Sequence, residues 1–460
     1  MLSPNPWTQR YIEALRPGEI ERRAAVPPVA VSDVEGLPTE VVCARLYAEL
    51  NRMYVVTAAA TRIIAVECER ALAHALTSYF DSRSVLRFGY EFPALEELPE
   101  PYIPTFLTGP AGVGKSALRG AISRVLAGNT RHVFDPAHPA LPLIDFVSIA
   151  VRGQRSAGGL LRQLASPEVS TGKVRVSEAG LIRECARWMR LCGTCLFAVD
   201  EMQSLTQSAL ASTLVTRVLL MLSEVRVPWI IVANYSLGHR LLRRPPEAVQ
   251  RLLGRPVLML PDAPGSADWL ALLSAYDIVF DSVRAFAFVD RERELWNCTA
   301  GLKRLLRELT VQAYRLSRSR GSVRLEWIDI SSAYLSREYS SSREEVEDAI
   351  ASAAQGALLP AGARSPFSGA DLDTAQLKYA DSLRTVRQAQ VTASVLDASL
   401  NAKDREILAA VASRDSPHGS TATNVLKLRR KRLTPAELQA AGRQHLESLG
   451  DPKKEPNSPA

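Results

Sequence analysis

The chain has 460 residues, 47% of them hydrophobic, so it is long enough for two domains and can bury a sizeable core. Its formal net charge of +7 mildly favours a polyanionic partner. No apolar stretch approaches the roughly 18 residues that a membrane span needs, and the N-terminus lacks the basic start and apolar centre of a signal peptide. We therefore expect a cytoplasmic protein with no membrane-spanning helix.

The first 102 residues divide into two predicted segments. Residues 1–40 are rich in proline and charge, which predicts an irregular arm that is either disordered or ordered by a partner. Residues 41–102 begin with apolar stripes at helical spacing and end in a proline-rich stretch. This pattern predicts an N-terminal helical extension.

A glycine-rich motif follows a predicted strand at residues 103–108. Residues 109–116 fit the phosphate-loop pattern G-x-x-x-x-G-K-[ST], and a helical segment comes next. The glycines let backbone N–H groups approach phosphate oxygens, Lys115 reaches the outer phosphates, and the Ser116 hydroxyl can bind Mg²⁺. The alternative is a plain glycine-rich turn. The predicted nucleotide-binding residues of this segment are Gly109, Pro110, Ala111, Gly112, Val113, Gly114, Lys115, Ser116 and Ala117.

An acidic pair follows the apolar run at residues 195–199, which predicts a strand covered on both faces. In a P-loop NTPase, Asp200 would hold the Mg²⁺ shell, and Glu201 would orient and deprotonate the attacking water. Taken alone, the pair could equally mark a strand end that meets a polar loop.

A polar amide, Asn234, follows a third apolar run at residues 228–233. At that strand tip it can contact the γ-phosphate or the lytic water, the position called sensor 1 in AAA+ ATPases. Asparagine is also a common helix N-cap, so capping is the alternative interpretation.

Strands and helices alternate from residue 103 to residue 263, with strands near 103–108, 143–150, 195–199, 228–234 and 256–260. This alternation predicts an α/β fold in which helices cover both faces of a parallel sheet. Residues 264–355 are helical in pattern and predict a small lid. Residues 356–460 predict a largely disordered basic tail, with amphipathic stretches near 375–390 and 394–412. The basic run at 427–432 is either a solvated segment or a contact to DNA or a partner.

The six cysteines are scattered along the chain. Cys192 and Cys195 have CxxC spacing, but no second cysteine pair or histidine pair completes a zinc site. We expect both to be reduced thiols.

Phosphate loop, acidic pair, sensor strand and lid follow one another in the AAA+ order. The chain lacks the Asn-Lys-x-Asp motif with which GTPases read their base. AAA+ sites are usually completed by an arginine of the next subunit, which stabilises charge on the γ-phosphate. Arg251 is the first candidate and Arg255 the second, ahead of Arg243 and Arg244. In the lid, Arg304 or Lys303 could act on the phosphates in cis, as a sensor 2.

Across residues 100–345, the chain resembles the AAA+ regulators of DNA transposition of the TnsC/TniB type, which are relatives of the IstB and MuB helper ATPases. The resemblance rests on Leu107-Thr108 leading into the phosphate loop, and on residues 197–205, which match an acid-acid-x-[QH]-x-Leu pattern. Residues 227–232 match the family's sensor strand. Many relatives carry Gly-Thr at its tip, where this chain has Ala233-Asn234.

The resemblance implies an ATP- and Mg²⁺-dependent protein that binds double-stranded DNA and assembles on it as a ring or helical filament. Such proteins connect a target-site selector of the TniQ/TnsD type to the transposase, and ATP hydrolysis resets the assembly. The DNA contacts would be mainly to phosphates, and our candidates are Arg152, Arg155, Arg162, Lys173 and Arg175. The alternatives are an AAA+ replication initiator or helicase loader, and a signalling NTPase that binds only protein.

Overall fold

The structure is a computed structural model that describes residues 5–91, 100–133, 140–151, 157–172, 176–201, 211–354, 364–399 and 404. The chain divides into two units, residues 1–393 and residues 394–460. Only residues 394–399 and 404 of the second unit belong to the described part, so the account below concerns the first unit. No helix in the described ranges is long and apolar enough to cross a membrane.

A parallel sheet forms the centre of the first unit. The strands are β1 Thr105–Gly109, β2 Asn129–His132, β3 Leu141–Ile144, β4 Val147–Ala150, β5 Phe197–Asp200, β6 Trp229–Asn234 and β7 Arg255–Leu258. Five of them pair in parallel in the order β4-β5-β6-β1-β7, and β2 and β3 form a separate antiparallel pair that the sequence did not predict. Every residue of β1 and β5 is buried, as expected for strands covered on both faces.

Helices lie on both sides of this sheet, which confirms the predicted α/β fold class. Those that precede the sheet are α1 Pro6–Ala14, α2 Glu19–Ala24, α3 Thr39–Arg52, α4 Ala58–Ser78 and α5 Ser82–Tyr90. Those within the core are α6 Lys115–Val125, α7 Ala157–Arg162, α8 Pro167–Ser170, α9 Glu178–Leu191, α10 Ala211–Ser223, α11 Tyr235–Leu241 and α12 Pro246–Leu253.

The residues after the sheet form a helical layer with its own core. It comprises α13 Ala267–Val279, a 3-10 turn at Val289–Arg291, α14 Glu292–Thr299, α15 Lys303–Ser319, α16 Trp327–Leu335 and α17 Ser340–Ala354. Buried aromatic residues such as Trp269, Phe280 and Tyr314 fill this layer. Helix α3 packs into the same apolar cluster. Helix α4 belongs to a different apolar cluster, which it shares with residues of β1 and β6.

The first residues are helical where the sequence predicted an irregular arm. Asn5 caps α1 by accepting hydrogen bonds from the backbone N–H groups of Trp7 and Thr8, and a proline is tolerated in the first helical turn. Trp7 and Tyr11 are buried, and Trp7 stacks on Tyr79 of the α4 C-terminus with ring centroids 5.7 Å apart. The partner that orders this arm is therefore the rest of the same chain.

The segment after the lid differs in part from the prediction. A helix, α18, spans Ala370–Ser399, within the range predicted as largely disordered, and it contains the amphipathic stretch predicted near 375–390. Tyr379, Leu383 and Val386 near its middle are buried in the apolar cluster of the lid. Their spacing of four and three residues places them on one helix face, which explains the order.

All six cysteines are free thiols in the structure. Cys192 and Cys195 are buried, and burial raises the pKa of the Cys192 thiol to about 12.

Candidate functional site

The phosphate loop connects the C-terminal end of β1 to the N-terminus of α6. Gly112 and Gly114 have φ values of 83° and 110°, where a side chain would be strained, and Gly114 serves as the N-cap residue of α6. The first N–H groups of a helix have no acceptor within that helix, and its N-terminus carries partial positive charge. The loop is therefore a backbone site suited to phosphate.

Lys115 is folded into this loop and is only 8% exposed. Its ammonium donates hydrogen bonds to the carbonyl oxygens of Gly109, at 2.9 Å, and Pro110, at 2.8 Å. Burial lowers the pKa of Lys115 to about 8, and the nearby Asp200 carboxylate opposes this shift. In the described structure both of its hydrogen-bond acceptors are neutral carbonyls, so a phosphate would give the ammonium a directly bonded charged partner.

The acidic pair and the sensor asparagine reach the same edge of the sheet as the loop. Gly109 is paired in register with Asn234, and Asp200 with Val232, so the three strand tips lie side by side. Asp200 is 5% exposed, and its Oδ1 accepts a hydrogen bond of 2.8 Å from the backbone N–H of Glu201. The structure thus brings together residues that are 91 and 34 positions apart in the sequence (109 to 200, and 200 to 234).

Asn234 is half-buried, and its side chain makes no capping hydrogen bond to α11. Asn234 thus occupies the N-cap position that the capping alternative assigns to it, without a side-chain capping bond, and the sensor 1 role stays a prediction.

An arginine that the sequence analysis missed contacts Asp200. Arg119 lies one turn after Lys115 on α6, and its Nε is 3.1 Å from Oδ2 of Asp200. The same guanidinium donates a hydrogen bond to the Ser148 hydroxyl on β4. Residues four apart on a helix share a face, so the spacing from Lys115 could have identified Arg119 as a neighbour of the site.

The N-terminus of α15 in the lid rests on the phosphate loop. The backbone N–H of Arg304 donates to the Gly112 carbonyl at 3.1 Å, and a Cβ at Gly112 would lie 2.7 Å from the Arg304 Cβ. Arg304 pairs with Glu345 at 2.9 Å, and Lys303 pairs with Asp262 at 3.2 Å. Both sensor 2 candidates are therefore beside the loop, and each is held by an acidic residue of its own subunit.

The two leading candidates for a trans-acting arginine lie elsewhere. Arg251 and Arg255 are exposed, at the end of α12 and the start of β7. Arg255 pairs in register with Thr105, where β1 begins, whereas Gly109 is four residues further along that strand, or about 13 Å away. They are therefore at the edge of the sheet opposite the loop of their own subunit. A trans role remains a prediction.

Four of the five candidate DNA contacts, Arg152, Arg155, Lys173 and Arg175, lie outside the described residues. The fifth, Arg162, is described, and its guanidinium donates to the Val169 carbonyl at 3.1 Å. That contact ties α7 to α8.

The residues at the loop fit Mg²⁺ bound together with a nucleotide. The Asp200 carboxylate and the Ser116 hydroxyl supply oxygen atoms, and Ser116 is exposed on the first turn of α6. In the described ranges, no cluster of three or more His, Cys, Asp or Glu side chains could hold a metal ion. Mg²⁺ usually keeps several waters and binds through one or two carboxylates plus substrate phosphates, so a sparse set of this kind is sufficient.

The parallel sheet flanked by helices, with the phosphate loop after β1 and a helical layer after β7, agrees with the α/β architecture that the sequence predicted. No family model and no curated protein sequence matches the chain. Among solved structures, the Orc2 protein of Aeropyrum pernix is 14% identical with a TM-score of 0.40, covering 70% of this chain and 85% of that one. The Walker-type ATPase of Pyrococcus abyssi is 18% identical with a TM-score of 0.37, covering 66% and 89%. The RuvB Holliday junction branch migration motor of Thermotoga maritima is 12% identical with a TM-score of 0.30, covering 58% and 67%. At TM-scores this low, the likeness does not bear on function.

Proposed function

We propose that this chain is a Mg²⁺-dependent AAA+ ATPase that assembles on double-stranded DNA and regulates transposition. In this role it links a target-site selector to the transposase, and hydrolysis of ATP resets it. One observation carries the ATPase part of the proposal. Gly109, Asp200 and Asn234 end neighbouring strands at one edge of the sheet, and the basic start of α15 lies on the loop between β1 and α6.

Each residue of this edge has a distinct task in the proposal. Lys115 and the α6 N-terminus bind the phosphates, and Arg304 adds a cation from the lid. Glu201 takes a proton from the attacking water as a general base, and Asn234 orients that water. Bound between Ser116, Asp200 and the nucleotide, Mg²⁺ would neutralise phosphate charge.

The DNA and transposition parts have different support. The net charge of +7 favours a polyanionic partner. The transposition role rests on the similarity of residues 107–116, 197–205 and 227–232 to TnsC/TniB-type motifs. Contacts made mainly to phosphates would let the protein accept many target sequences.

Filter binding with duplex DNA tests the coupling between nucleotide and DNA. We expect retention with a non-hydrolysable ATP analogue and Mg²⁺, and little retention with ADP. Lys115→Ala removes the cation that reaches the phosphates, so nucleotide binding and DNA retention should be lost together. DNA binding by Lys115→Ala at wild-type strength would refute the coupling. ATP binding without any DNA retention would favour the protein-only signalling alternative.

Electron microscopy and strand transfer separate the remaining alternatives. A ring or filament enclosing DNA is expected with the ATP analogue. Stimulation of strand transfer by a transposase encoded beside the protein would support the regulatory role. DNA loading without such stimulation would favour a replication initiator or helicase loader.

A further inference from the structure

Asp200 has a positive partner within the protein. Its Oδ1 accepts from the Glu201 N–H, and its Oδ2 faces Arg119. The Asp200 side chain is 7% exposed and the Arg119 side chain 29%, so the carboxylate is enclosed while the arginine reaches solvent. A buried carboxylate without a counter-charge is unfavourable, and Arg119 supplies that charge.

The contact is close but poorly aligned. Although Nε of Arg119 lies 3.1 Å from the carboxylate, it is buried and forms no hydrogen bond of acceptable geometry in the described structure. The directional bond of this guanidinium goes instead to the Ser148 hydroxyl. The interaction with Asp200 is therefore mainly one of charge, and another cation could replace it without breaking an aligned hydrogen bond.

Two further charged side chains belong to the surroundings of Asp200. Lys115 on α6 is the second cation that acts on this carboxylate, and it is already held by two loop carbonyls. Glu201 adds a second negative charge next in sequence. Arg119 and Lys115 thus place two positive charges on one face of α6, beside the acids at the tip of β5.

We propose that Arg119 is the resident counter-ion of Asp200, with which Mg²⁺ must compete when the nucleotide binds. Arg119 would then act as a positioning residue that sets the Mg²⁺ concentration at which the site binds Mg²⁺–nucleotide. It also supplies, within the protein, the counter-charge that the enclosed carboxylate needs. This inference rests on the nucleotide site proposed above.

The test is a titration of Mg²⁺ into the full-length protein with a fluorescent ATP analogue, read as nucleotide binding rather than turnover. Arg119→Gln keeps a polar side chain but removes the competing charge. We expect its Mg²⁺ midpoint to fall on the order of tenfold, because two charges a few ångströms apart interact by more than about 1 kcal/mol at a protein surface. In EDTA, the variant should bind the analogue no better than wild type.

Two matched variants distinguish the effect of the Arg119 charge from that of its hydrogen bond to Ser148. Arg119→Lys keeps the charge and should keep a midpoint close to wild type. Ser148→Ala removes the aligned hydrogen bond but not the charge, and it should leave the midpoint unchanged. If Arg119→Gln fails to fold, as judged by its melting curve, Arg119→Met removes the same charge with an apolar stem.

The outcomes are distinct. A raised Mg²⁺ midpoint in Arg119→Gln would mean that the arginine orients Asp200 for the metal, and an unchanged midpoint would mean that it does not act on the metal site. Either result would contradict the proposal that Mg²⁺ competes with Arg119 for Asp200. If the wild-type protein binds no nucleotide even with Mg²⁺, the proposed function itself fails.

Discussion

The backbone of Glu201 adopts φ 60°, a left-handed conformation that costs a non-glycine residue energy. It follows directly on Asp200, whose Oδ1 accepts the Glu201 N–H, so the turn fixes both acids at the tip of β5. Strain of this kind is concentrated at functional sites because the surrounding structure has to maintain it. The sequence motif predicts the two acids, but the strained turn between them is visible only in the structure.

A buried histidine on α4 gives the fold a pH dependence of its own. His74 is 4% exposed, and its Nδ1 lies 3.0 Å from the Tyr102 hydroxyl. Burial, with a smaller effect of Arg190, lowers the pKa of His74 to about 3. The unfolded chain takes up a proton near pH 6.5 whereas the folded protein does not. The contribution of His74 to stability is therefore complete above pH 6.5 and is lost as the pH falls towards 3.

We expect this histidine to lower the stability of the first unit by about 2 kcal/mol between pH 7.5 and pH 5, since each pH unit below 6.5 contributes about 1.4 kcal/mol. His74→Gln stays neutral, so the difference in its unfolding free energy between the two pH values should shrink by that amount. Denaturant unfolding at both pH values measures it. An equal pH difference in wild type and variant would show that the acid sensitivity arises elsewhere.

Among the elements, buried strands are the most predictable and the ends of the chain the least. The continuous apolar runs of the sequence form strands β1, β5 and β6 at the predicted places. Periodicity cannot show that Trp7 fills a site on α4, or that Tyr379 reaches the lid, because both are tertiary contacts. Proline-rich and weakly periodic segments therefore predict irregular structure even where a tertiary contact makes them helical.

The segment from residue 364 into α18 connects the core to the lid. Phe367 packs edge-on against Phe106 of β1 with ring centroids 5.5 Å apart, and the Arg364 carbonyl lies 3.2 Å from Nε2 of His239 on α11. Further along, the Tyr379 hydroxyl donates to the Ala300 carbonyl at 3.3 Å. This strap, residues 364–386, therefore contacts the helix that follows the sensor strand and also the layer that carries Arg304.

Two truncations distinguish the strap from the tail. Removing residues 400–460 keeps all the strap contacts described above, so melting temperature and ATPase activity should stay near wild type. Removing residues 356–460 deletes Leu383, which is fully buried, and exposes the lid core. We expect a markedly lower melting temperature and loss of ATPase activity.

Leu383→Ala in the full chain is the matched point variant. A buried Leu→Ala change costs about 2–5 kcal/mol, so it should destabilise the lid without removing any other strap residue. Equal melting temperatures for the two truncations would show that the strap contributes nothing to the fold.

At the scale of the whole molecule, the two leading candidates for a trans-acting arginine lie away from the other predicted site residues. The loop, the acids and the lid cations meet at one edge of the sheet, but Arg251 and Arg255 lie at the other. The sequence predicts the first group because each member belongs to a motif with its own strand or helix. It ranks Arg251 and Arg255 only by their place before the predicted strand at 256–260, because the partner of either would be the phosphate of another subunit.

Subunit mixing tests whether that partner exists. Arg251→Ala should bind ATP normally but hydrolyse it poorly, because the cation it removes serves a neighbour's phosphate. Glu201→Gln should also bind ATP and lose roughly 10²–10⁴-fold in turnover, since the general base is gone. Mixed together, the two inactive proteins should regain part of the activity, because one kind of interface then contains an intact Glu201 and an intact Arg251. Arg62→Ala, which removes an exposed arginine of α4, is the matched control and should remain active alone. If subunit exchange is confirmed by labelled protein and no activity returns, Arg251 does not act across the interface, and the same mixture with Arg255→Ala would test the second candidate.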